Sequence, residues 1–330
     1  MTPRAILMSQ QGVAAMSPSA RRARNEAPGP SGFLVVDKPA GWTSHDVVDR
    51  VRRWFGTRRV GHLGTLDPQA TGVLPIAVRE ATKLIPFVPG DPKVYRGVIR
   101  LGIETDTLDG DGREVSRHAG PLPSETEVRA AMASFPGEHE QVPPMFSAVK
   151  QGGVPLYRLA RRGEQVERAP RKVRIDAFSL LAYRPPDAEV EVTCSPGTYV
   201  RVLAAELGSQ LGCGAFLHSL CRLRSGPFDL AQAAPFEALA AEAERGAIGA
   251  RLLRPAAALG LAIVRLTPED ARRVLHGSAL PTGGAPRTVG ERVAALDPTG
   301  ALLAILEVAP DRRLRPLRVL HRLAARDQVW

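Results

Sequence analysis

Residues 59–75 read Arg-Val-Gly-His-Leu-Gly-Thr-Leu-Asp-Pro-Gln-Ala-Thr-Gly-Val-Leu-Pro and link two short apolar segments. Three glycines in so short a stretch indicate a backbone that takes positive φ or closely approaches another group. Asp67 is the one acid of this stretch, and a proline follows it. Because Asp-Pro steps initiate turns, the residues alone leave two interpretations of Asp67 open, a turn residue or a functional carboxylate.

The segments on either side of this loop have clear periodicity. Upstream, Ser44 stands in the N-cap position of a helix that extends through Phe55 with its valines on one apolar face. Downstream, residues 93–103 alternate strictly in polarity, which predicts a strand with one buried face. Tyr95 begins that buried face, and its spacing alone is that of a core tyrosine near a strand end.

The pattern of the following residues predicts an α+β fold. Helices and strands alternate without βαβ order, which indicates a mixed, antiparallel sheet with flanking helices. The predicted elements are a helix opened by the capping box at 124–127, strands at 174–183 and 189–194, a helix at 199–211 capped by 195–198, and a strand at 216–223.

Composition divides the chain into three parts. Residues 1–31 are rich in arginine, poor in acids and lack the apolar core of a secretory signal, so we predict a disordered basic tail. An organellar transit peptide would share this composition. Residues 32–258 form the predicted main domain. Residues 259–330 contain short strands with one helix, which predicts a small β-barrel-like module.

The charge balance favours a polyanionic partner. The chain has 330 residues, 44 Lys+Arg against 34 Asp+Glu and a formal net charge of +10. Nucleic acid is the first candidate and an anionic membrane surface the second, while part of the arginine content is also what a GC-rich coding bias produces. No apolar run approaches the roughly 18 residues of a transmembrane helix. We therefore expect a protein that does not span a membrane.

Metal binding is not indicated by the sequence. The three cysteines form no C-x-x-C pair and have no zinc spacing with histidines. Residues 105–112 are rich in aspartate but lack the terminal glutamate of a calcium loop, so we predict a surface turn there.

A basic, glycine-interrupted segment covers residues 141–172. It carries Lys150, Arg161 and Arg162 and is broken by Pro143-Pro144 and Gly152-Gly153. Such an excursion between strands suits an arm that closes on phosphates, and it equally suits a solvated loop. The charge run alone leaves both interpretations open.

Six stretches together resemble the bacterial tRNA pseudouridine synthase B family, and all six occur in the family's order and spacing. They are residues 32–44 (GFLVVDKPAGWTS), 61–75 (GHLGTLDPQATGVLP), 93–95 (KVY), 143–150 (PPMFSAVK), 194–201 (CSPGTYVR) and 220–226 (LCRLRSG). The resemblance runs from about residue 32 to residue 228. Beyond it, residues 259–330 resemble the family's PUA-like RNA-binding module more weakly.

The resemblance implies three catalytic residues. Asp67 corresponds to the family's catalytic aspartate, and Arg201 to the cation that keeps this carboxylate ionised as its bidentate partner. Tyr95 corresponds to the active-site tyrosine, whose ring stacks on the flipped base and whose hydroxyl takes part in proton transfer. Lys38 and Pro39 are expected to brace the active-site loops.

The resemblance also implies substrate contacts. Tyr199 lines the same pocket, Leu220 packs against the base, and His62 stacks where the extruded base had been. Lys150, Arg161 and Arg162 lie in the family's arm over the T-stem, which supports the phosphate-clamp interpretation. The loop glycines are expected to let RNA backbone and His62 approach closely.

The implied activity is isomerisation of the T-loop uridine of tRNA, position 55, to pseudouridine. Cutting a glycosidic bond, turning the base and rejoining it through carbon needs one carboxylate and neither metal nor redox cofactor. We expect a cytoplasmic monomer that binds the T-stem-loop. Two alternatives are a guide-RNA-dependent pseudouridine synthase and a tRNA-binding or tRNA-folding factor without catalysis.

Overall fold

The computed structural model describes residues 29–283 and 287–320. Almost all of the predicted basic tail, and the last ten residues of the predicted C-terminal module, lie outside these ranges. Within them, no helix is long and apolar enough to cross a membrane.

The strands are numbered in chain order. They are β1 (Gly32–Lys38), β2 (Val60–His62), β3 (Thr71–Val78), β4 (Lys93–Leu101), β5 (Ile103–Thr105), β6 (Glu114–Arg117), β7 (Gly137–Gln141), β8 (Lys150–Gln151), β9 (Val154–Pro155), β10 (Arg171–Arg184), β11 (Asp187–Cys194), β12 (Ala215–Ser225), β13 (Phe228–Asp229), β14 (Ala234–Pro235), β15 (Ala262–Arg265), β16 (Leu280–Pro281), β17 (Arg292–Leu296), β18 (Leu302–Val308) and β19 (Arg313–Val319).

The helices of the described residues flank these strands. The α-helices are α1 (Ser44–Trp54), α2 (Glu125–Met132), α3 (Leu156–Ala160), α4 (Val200–Gln210), α5 (Phe236–Glu244) and α6 (Pro268–Leu275). Short 3₁₀ segments cover Arg79–Phe87, Leu230–Gln232, Ile248–Arg251 and Pro255–Ala258.

The main sheet has the strand order β14-β1-β3-β12-β4-β11-β10-β7, with β2 paired to β3 and β13 to β12. Its neighbours are antiparallel except for β1 with β14 and β3 with β12. The predicted α+β class with a mixed sheet is therefore confirmed. The short parallel contact pairs Cys221 with Thr71 and Arg222 with Gly72, which brings β12 against the end of the loop that contains Asp67.

Strand β4 has the face predicted from its alternation. Lys93, Tyr95, Gly97, Ile99 and Leu101 are buried, whereas the residues between them are at least partly accessible. Gly97 is required on this face because a Cβ there would stand 2.6 Å from the Ser219 carbonyl oxygen of β12. The glycine thus lets the two strands that frame the cavity described below pack closely.

The two faces of the main sheet carry different partners. Apolar side chains of α1, α2, α4 and α5 pack in one cluster with one face. The opposite face packs through Phe33, Val73 and Phe228 against Leu296 and Ile305 of a second sheet, ordered β15-β17-β18-β19-β16. This five-stranded sheet with helix α6 fits the predicted PUA-like module.

The predicted N-cap of helix α1 is wrong by one residue. Thr43 is the N-cap: its hydroxyl accepts from the Asp46 amide at 3.1 Å, and the Asp46 carboxylate accepts from the Thr43 amide at 2.9 Å. Ser44 is instead buried, and its hydroxyl donates to the Leu66 carbonyl at 3.0 Å and accepts from the Leu66 amide at 2.8 Å. The serine therefore ties helix α1 to the residue that precedes Asp67.

Helix α4 also begins one residue later than predicted. Its N-cap is Tyr199, which makes no side-chain capping hydrogen bond. The Tyr199 amide donates to the side-chain oxygen of Gln141 at 3.0 Å, so the start of the arm supplies the acceptor. This contact fixes the first turn of the helix that carries Arg201.

Candidate active site

A cavity of about 440 Å³ opens between the 62–67 loop, strand β4, the start of α4 and strand β12. Six of the residues predicted for the site line it together: His62, Asp67, Tyr95, Tyr199, Arg201 and Leu220. Lys150, Arg161 and Arg162 do not line it. They lie exposed on the arm, at β8 and just beyond α3.

The loop that carries Asp67 is fixed by hydrogen bonds on both sides. The Asp67 carbonyl accepts from the Ala70 amide at 3.1 Å, which closes the turn that the Asp-Pro step predicted. The Pro68 carbonyl accepts from the Gly41 amide and from Lys38 Nζ, both at 2.9 Å. Asp67 is thus a turn residue by its backbone while its carboxylate faces the cavity.

Lys38 braces two loops at once, as expected. Besides Pro68, its ammonium donates to the Pro39 carbonyl at 2.9 Å and to the Trp42 carbonyl at 2.6 Å. Burial lowers the pKa of Lys38 to about 8, an effect that the nearby Asp67 carboxylate opposes.

Arg222 also holds the loop in place, and it is not among the site residues predicted from the sequence. This arginine is 1% exposed and donates to three backbone carbonyls of the loop region, those of Gly64 at 3.1 Å, Thr65 at 3.3 Å and Val73 at 2.8 Å. The sequence feature that could have indicated this role is an arginine within one of the six motifs, on the same side of an alternating strand as Leu220.

Arg201 is the buried cation at the centre of the site. Its Nη2 lies 3.2 Å from Asp67 Oδ2 and 3.3 Å from Oδ1, and it also donates to the Phe146 carbonyl at 2.7 Å. The expected bidentate pairing is therefore wrong in detail, because one nitrogen approaches both carboxylate oxygens. The guanidinium also lies 5.7 Å from the centre of the Tyr199 ring.

Asp109 pairs with the other terminal nitrogen of Arg201, with Nη1 3.3 Å from Asp109 Oδ2. The prediction of a surface turn at 105–112 placed this residue on the outside, yet its side chain is only 15% exposed. Thr105 Oγ1 donates to the Asp109 carbonyl at 2.8 Å and Thr107 Oγ1 to its carboxylate at 2.5 Å, which aims the aspartate inward. Nothing in the local sequence distinguishes Asp109 from the other acids of this turn.

The environment of Asp67 raises the pKa of its carboxyl group. Burial is the main cause, Arg201 opposes it, and the negative charge of Asp109 adds to it. The side chain is 41% exposed and lines the cavity, while protein atoms surround the rest of the carboxylate closely enough for burial to be the main cause of the shift. A substrate that fills the cavity will remove the remaining water and strengthen the dependence of this carboxylate on Arg201.

Tyr95 and His62 are both held in their neutral forms. Burial raises the pKa of the Tyr95 hydroxyl, with the adjacent Arg222 opposing the shift. Burial and then Arg222 lower the pKa of His62, whose Nδ1 is buried without a hydrogen-bond partner among the described residues. The cavity therefore offers a protonated phenol and an uncharged imidazole beside the carboxylate.

The sequence predicts that the loop glycines make room for RNA and His62, and two of them also make room for contacts within the protein. At Gly72, φ is +94°, and a Cβ would stand 2.3 Å from the Arg222 carbonyl oxygen. This glycine therefore allows the parallel contact between β3 and β12. At Gly64, φ is +110° and a Cβ would point toward Lys93 and Arg222.

Metal ligation finds no support in the described ranges, where no group of three or more His, Cys, Asp or Glu side chains could hold an ion. Burial raises the pKa of the Cys194 thiol to about 11, which suits a packing residue rather than a nucleophile.

The chain is similar to known proteins of one family. Residues 52–200 match the family model described as TruB family pseudouridylate synthase (N terminal domain). A tRNA pseudouridine synthase B of Symbiobacterium thermophilum is 51% identical over 263 residues, which cover 78% of this chain and 86% of the relative. A tRNA pseudouridine synthase B of Mycobacterium sp. (strain KMS) is 45% identical over 285 residues, 85% of this chain and 93% of the relative.

Solved structures share the fold. A chain in the crystal structure of a Cbf5-Nop10-Gar1 complex superposes with a TM-score of 0.67 at 25% identity and covers 92% of each chain. The fold, the cavity and these matches define a pseudouridine synthase, an isomerase. At the finer level, identity near 50% over most of the sequence shows that the chain belongs to the tRNA pseudouridine synthase B family.

Proposed function

We propose that the protein isomerises the uridine at position 55 of the tRNA T-loop to pseudouridine, with Asp67 as the catalytic carboxylate. The observation that carries the proposal is the Asp67 carboxylate, held 3.2 Å from buried Arg201 in a cavity that Tyr95 also lines. Relatives that are 45–51% identical are named tRNA pseudouridine synthase B.

The reaction is balanced within one nucleotide. The bond between N1 of the base and C1′ of the ribose breaks, the base turns, a bond from C5 to C1′ forms, and the proton lost from C5 is replaced by one on N1. An ionised Asp67 serves either as a nucleophile toward sugar or base, or as the base for a sugar proton. Both routes need the negative charge that Arg201 stabilises in a closed pocket.

Tyr95 and Leu220 suit the two faces of an extruded uracil. The buried Tyr95 ring and the half-buried Leu220 side chain both line the cavity. The raised pKa of Tyr95 keeps its hydroxyl protonated, so the phenol donates a proton or hydrogen bond to the turning base. His62, uncharged and at the edge of the loop, occupies the gap that the base leaves in the RNA.

The arm supplies the phosphate contacts of this proposal. Lys150, Arg161 and Arg162 are exposed, and the Arg161 guanidinium lies 5.7 Å from the ring centre of Tyr157, a contact that orients it just beyond the end of α3. The net charge of +10 supports a polyanionic substrate. Action as a monomer in the cytoplasm stays a prediction.

The guide-RNA-dependent alternative is less favoured. The relatives at 45–51% identity are named tRNA pseudouridine synthase B, and the arm with Lys150, Arg161 and Arg162 that the resemblance assigns to that family is present. A factor without catalysis is disfavoured because Asp67, Tyr95 and Arg201 meet in one cavity.

A transcript assay tests the proposal. An unmodified T-stem-loop labelled with tritium at C5 of its uridines is incubated with the protein without ATP, added metal or guide RNA. We expect one equivalent of tritium released and pseudouridine mapped to the T-loop uridine, with no release from a transcript carrying cytidine there. Uridine left unchanged at enzyme excess would overturn the activity, and product at another position would overturn the site specificity.

A further inference from the structure

Two buried cations converge beside the catalytic loop, and neither forms an ion pair with a carboxylate of the described residues. Lys93 is 7% exposed and Arg222 is 1% exposed, and both line the cavity. The position where a Cβ would stand on Gly64 is 3.4 Å from Lys93 Nζ and 3.7 Å from Arg222 Nη1. Because residue 64 is glycine, this position adds no side chain between the two cations and the cavity that they line.

The ammonium of Lys93 is only partly satisfied by the protein. Within the part of the chain that the structure describes, its side-chain hydrogen bond is to Ser225 Oγ at 2.6 Å. An ammonium has three donors, so two remain for a ligand. Buried charges in proteins are normally paired, since an uncompensated cation is costly to desolvate.

The charges around Lys93 do not supply the missing anion. Burial is the main cause that lowers the pKa of Lys93 to about 8, and repulsion by Arg222 is the next; the smaller influences of Cys194 and then Asp91 oppose the shift. The charged form still predominates at pH 7. The cluster therefore carries excess positive charge at one end of the cavity.

Lys93 is also correctly placed relative to the proposed base site. It lies two residues before Tyr95 on the same face of β4, about 7 Å away along the strand. A nucleotide whose base stacks on Tyr95 has its phosphates one ribose away from that base. A neutral uracil carbonyl would leave the two cations uncompensated, whereas a phosphate oxygen would neutralise them.

We propose that Lys93 and Arg222, beside Gly64, form an anion subsite that binds a phosphate adjoining the flipped nucleotide of the bound RNA. This subsite is distinct from the arm, because it lies inside the cavity and holds the nucleotide that reacts. The inference rests on the proposed function, since it takes RNA as the ligand.

The test is a double-mutant cycle between protein and RNA. The two phosphates that flank the target uridine are replaced one at a time by uncharged methylphosphonates, and dissociation constants are measured for the wild-type protein and for Lys93→Met. We expect one of the two methylphosphonates to raise the dissociation constant of the wild type about tenfold. Lys93→Met should raise the dissociation constant for natural RNA by about the same factor. Combining the variant with that methylphosphonate should raise the dissociation constant little further, because both changes remove the same contact.

Lys83→Met is the matched control for loss of one lysine. Lys83 pairs with Glu80 at 2.8 Å and does not line the cavity, so its effect should add independently to that of the methylphosphonate. Lys93→Gln, which is uncharged but retains polar donors on the side of Ser225, replaces Lys93→Met if the apolar variant does not fold. Lys93→Arg should retain the methylphosphonate penalty.

The outcomes separate the two proposals. If the wild type forms pseudouridine but both methylphosphonates cost as much in the Lys93 variants as in the wild type, the phosphate subsite is overturned and the activity stands. If the wild type neither binds nor converts the T-stem-loop, the proposed function is overturned.

Discussion

Asp67 and Asp109 share one cation, the buried guanidinium of Arg201. Its Nη2 lies 3.2 Å from Asp67 and its Nη1 lies 3.3 Å from Asp109. The two carboxylates are 42 residues apart in sequence, on different loops. Asp109 therefore fixes the orientation of the arginine, while its negative charge acts on the pKa of Asp67 in the direction opposite to that of Arg201.

Asp109→Asn is expected to change the pH dependence of the reaction. In the proposed mechanism Asp67 acts in its ionised form, so activity should fall as the pH drops through the raised pKa of that group. Removing the charge of Asp109 removes one cause of the raised pKa, and the acid limb of kcat/KM should move to lower pH. At neutral pH we expect kcat to fall about tenfold or more, because Arg201 loses an orienting partner. An acid limb that stays in place would show that Asp109 does not act on Asp67.

Asp67→Asn should abolish turnover and leave RNA binding within a few-fold, since the side chain keeps its shape and loses its charge. The folded pKa of Asp67 is raised, so its influence on stability is favourable at low pH and is lost as the pH rises through that folded pKa. At pH 7.5 the asparagine variant should therefore be no less stable than the wild type. Tritium release, filter binding and thermal unfolding check the three expectations; residual activity would refute the role of Asp67.

Gly72→Ala should destabilise the protein strongly. The backbone at this residue has φ of +94°, and a Cβ would stand 2.3 Å from the Arg222 carbonyl oxygen and 2.8 Å from its nitrogen. Because both obstacles are backbone, strands β3 and β12 must separate, and we expect a loss of about 3 kcal/mol or more in the free energy of unfolding.

Gly300→Ala is the control for that experiment. Gly300 has φ of +87°, and no atom of the described residues lies within 4 Å of the position of an added Cβ. Alanine at position 300 should lower the free energy of unfolding by only about 1–2 kcal/mol, the cost of placing a residue with a Cβ at positive φ. Equal losses in denaturant titrations of the two variants would rule out close packing as the reason for the glycine at position 72.

Arg161→Ala combined with Arg162→Ala should weaken RNA binding and flatten its salt dependence. Removal of one arginine that binds a phosphate should reduce the slope of log K against log salt by about 0.7–0.9. Arg184→Ala with Arg245→Ala removes two exposed arginines outside the arm and the cavity, and is expected to change the slope less. If the two double variants have the same slope, the arm is a solvated loop and not a clamp.

The sequence predicts the parts of the site whose signals are local. Strict alternation over residues 93–103 places Tyr95 on the buried face of β4, and the turn chemistry of Asp67-Pro68 is present in the backbone. The start of the helix that carries Arg201 is predicted to within one residue. Each of these depends on neighbours a few positions away, so periodicity and turn rules suffice.

The missed residues depend on contacts between distant segments. Arg222 donates to carbonyls about 150 residues earlier in the chain. A local sequence pattern does not predict to which distant carbonyl groups a buried arginine will donate. Asp109 differs from its neighbouring acids only in pointing inward. Ser44 has the residue type and the position of a helix cap, although Thr43 forms the cap and Ser44 instead bonds to Leu66.

The position of β12 in the main sheet governs when the site can exist during biosynthesis. Strands β3 and β4 follow one another in the chain, yet β12, which begins at Ala215, lies between them. Until that segment emerges from the ribosome, the nascent polypeptide holds two strands with unpaired edges, a state that invites association with other chains. Asp67 and Tyr95 are synthesised early, but they reach their final positions relative to each other only after β12 has inserted between β3 and β4. We therefore expect enzymatic activity only after this part of the chain has been translated and the main sheet has folded.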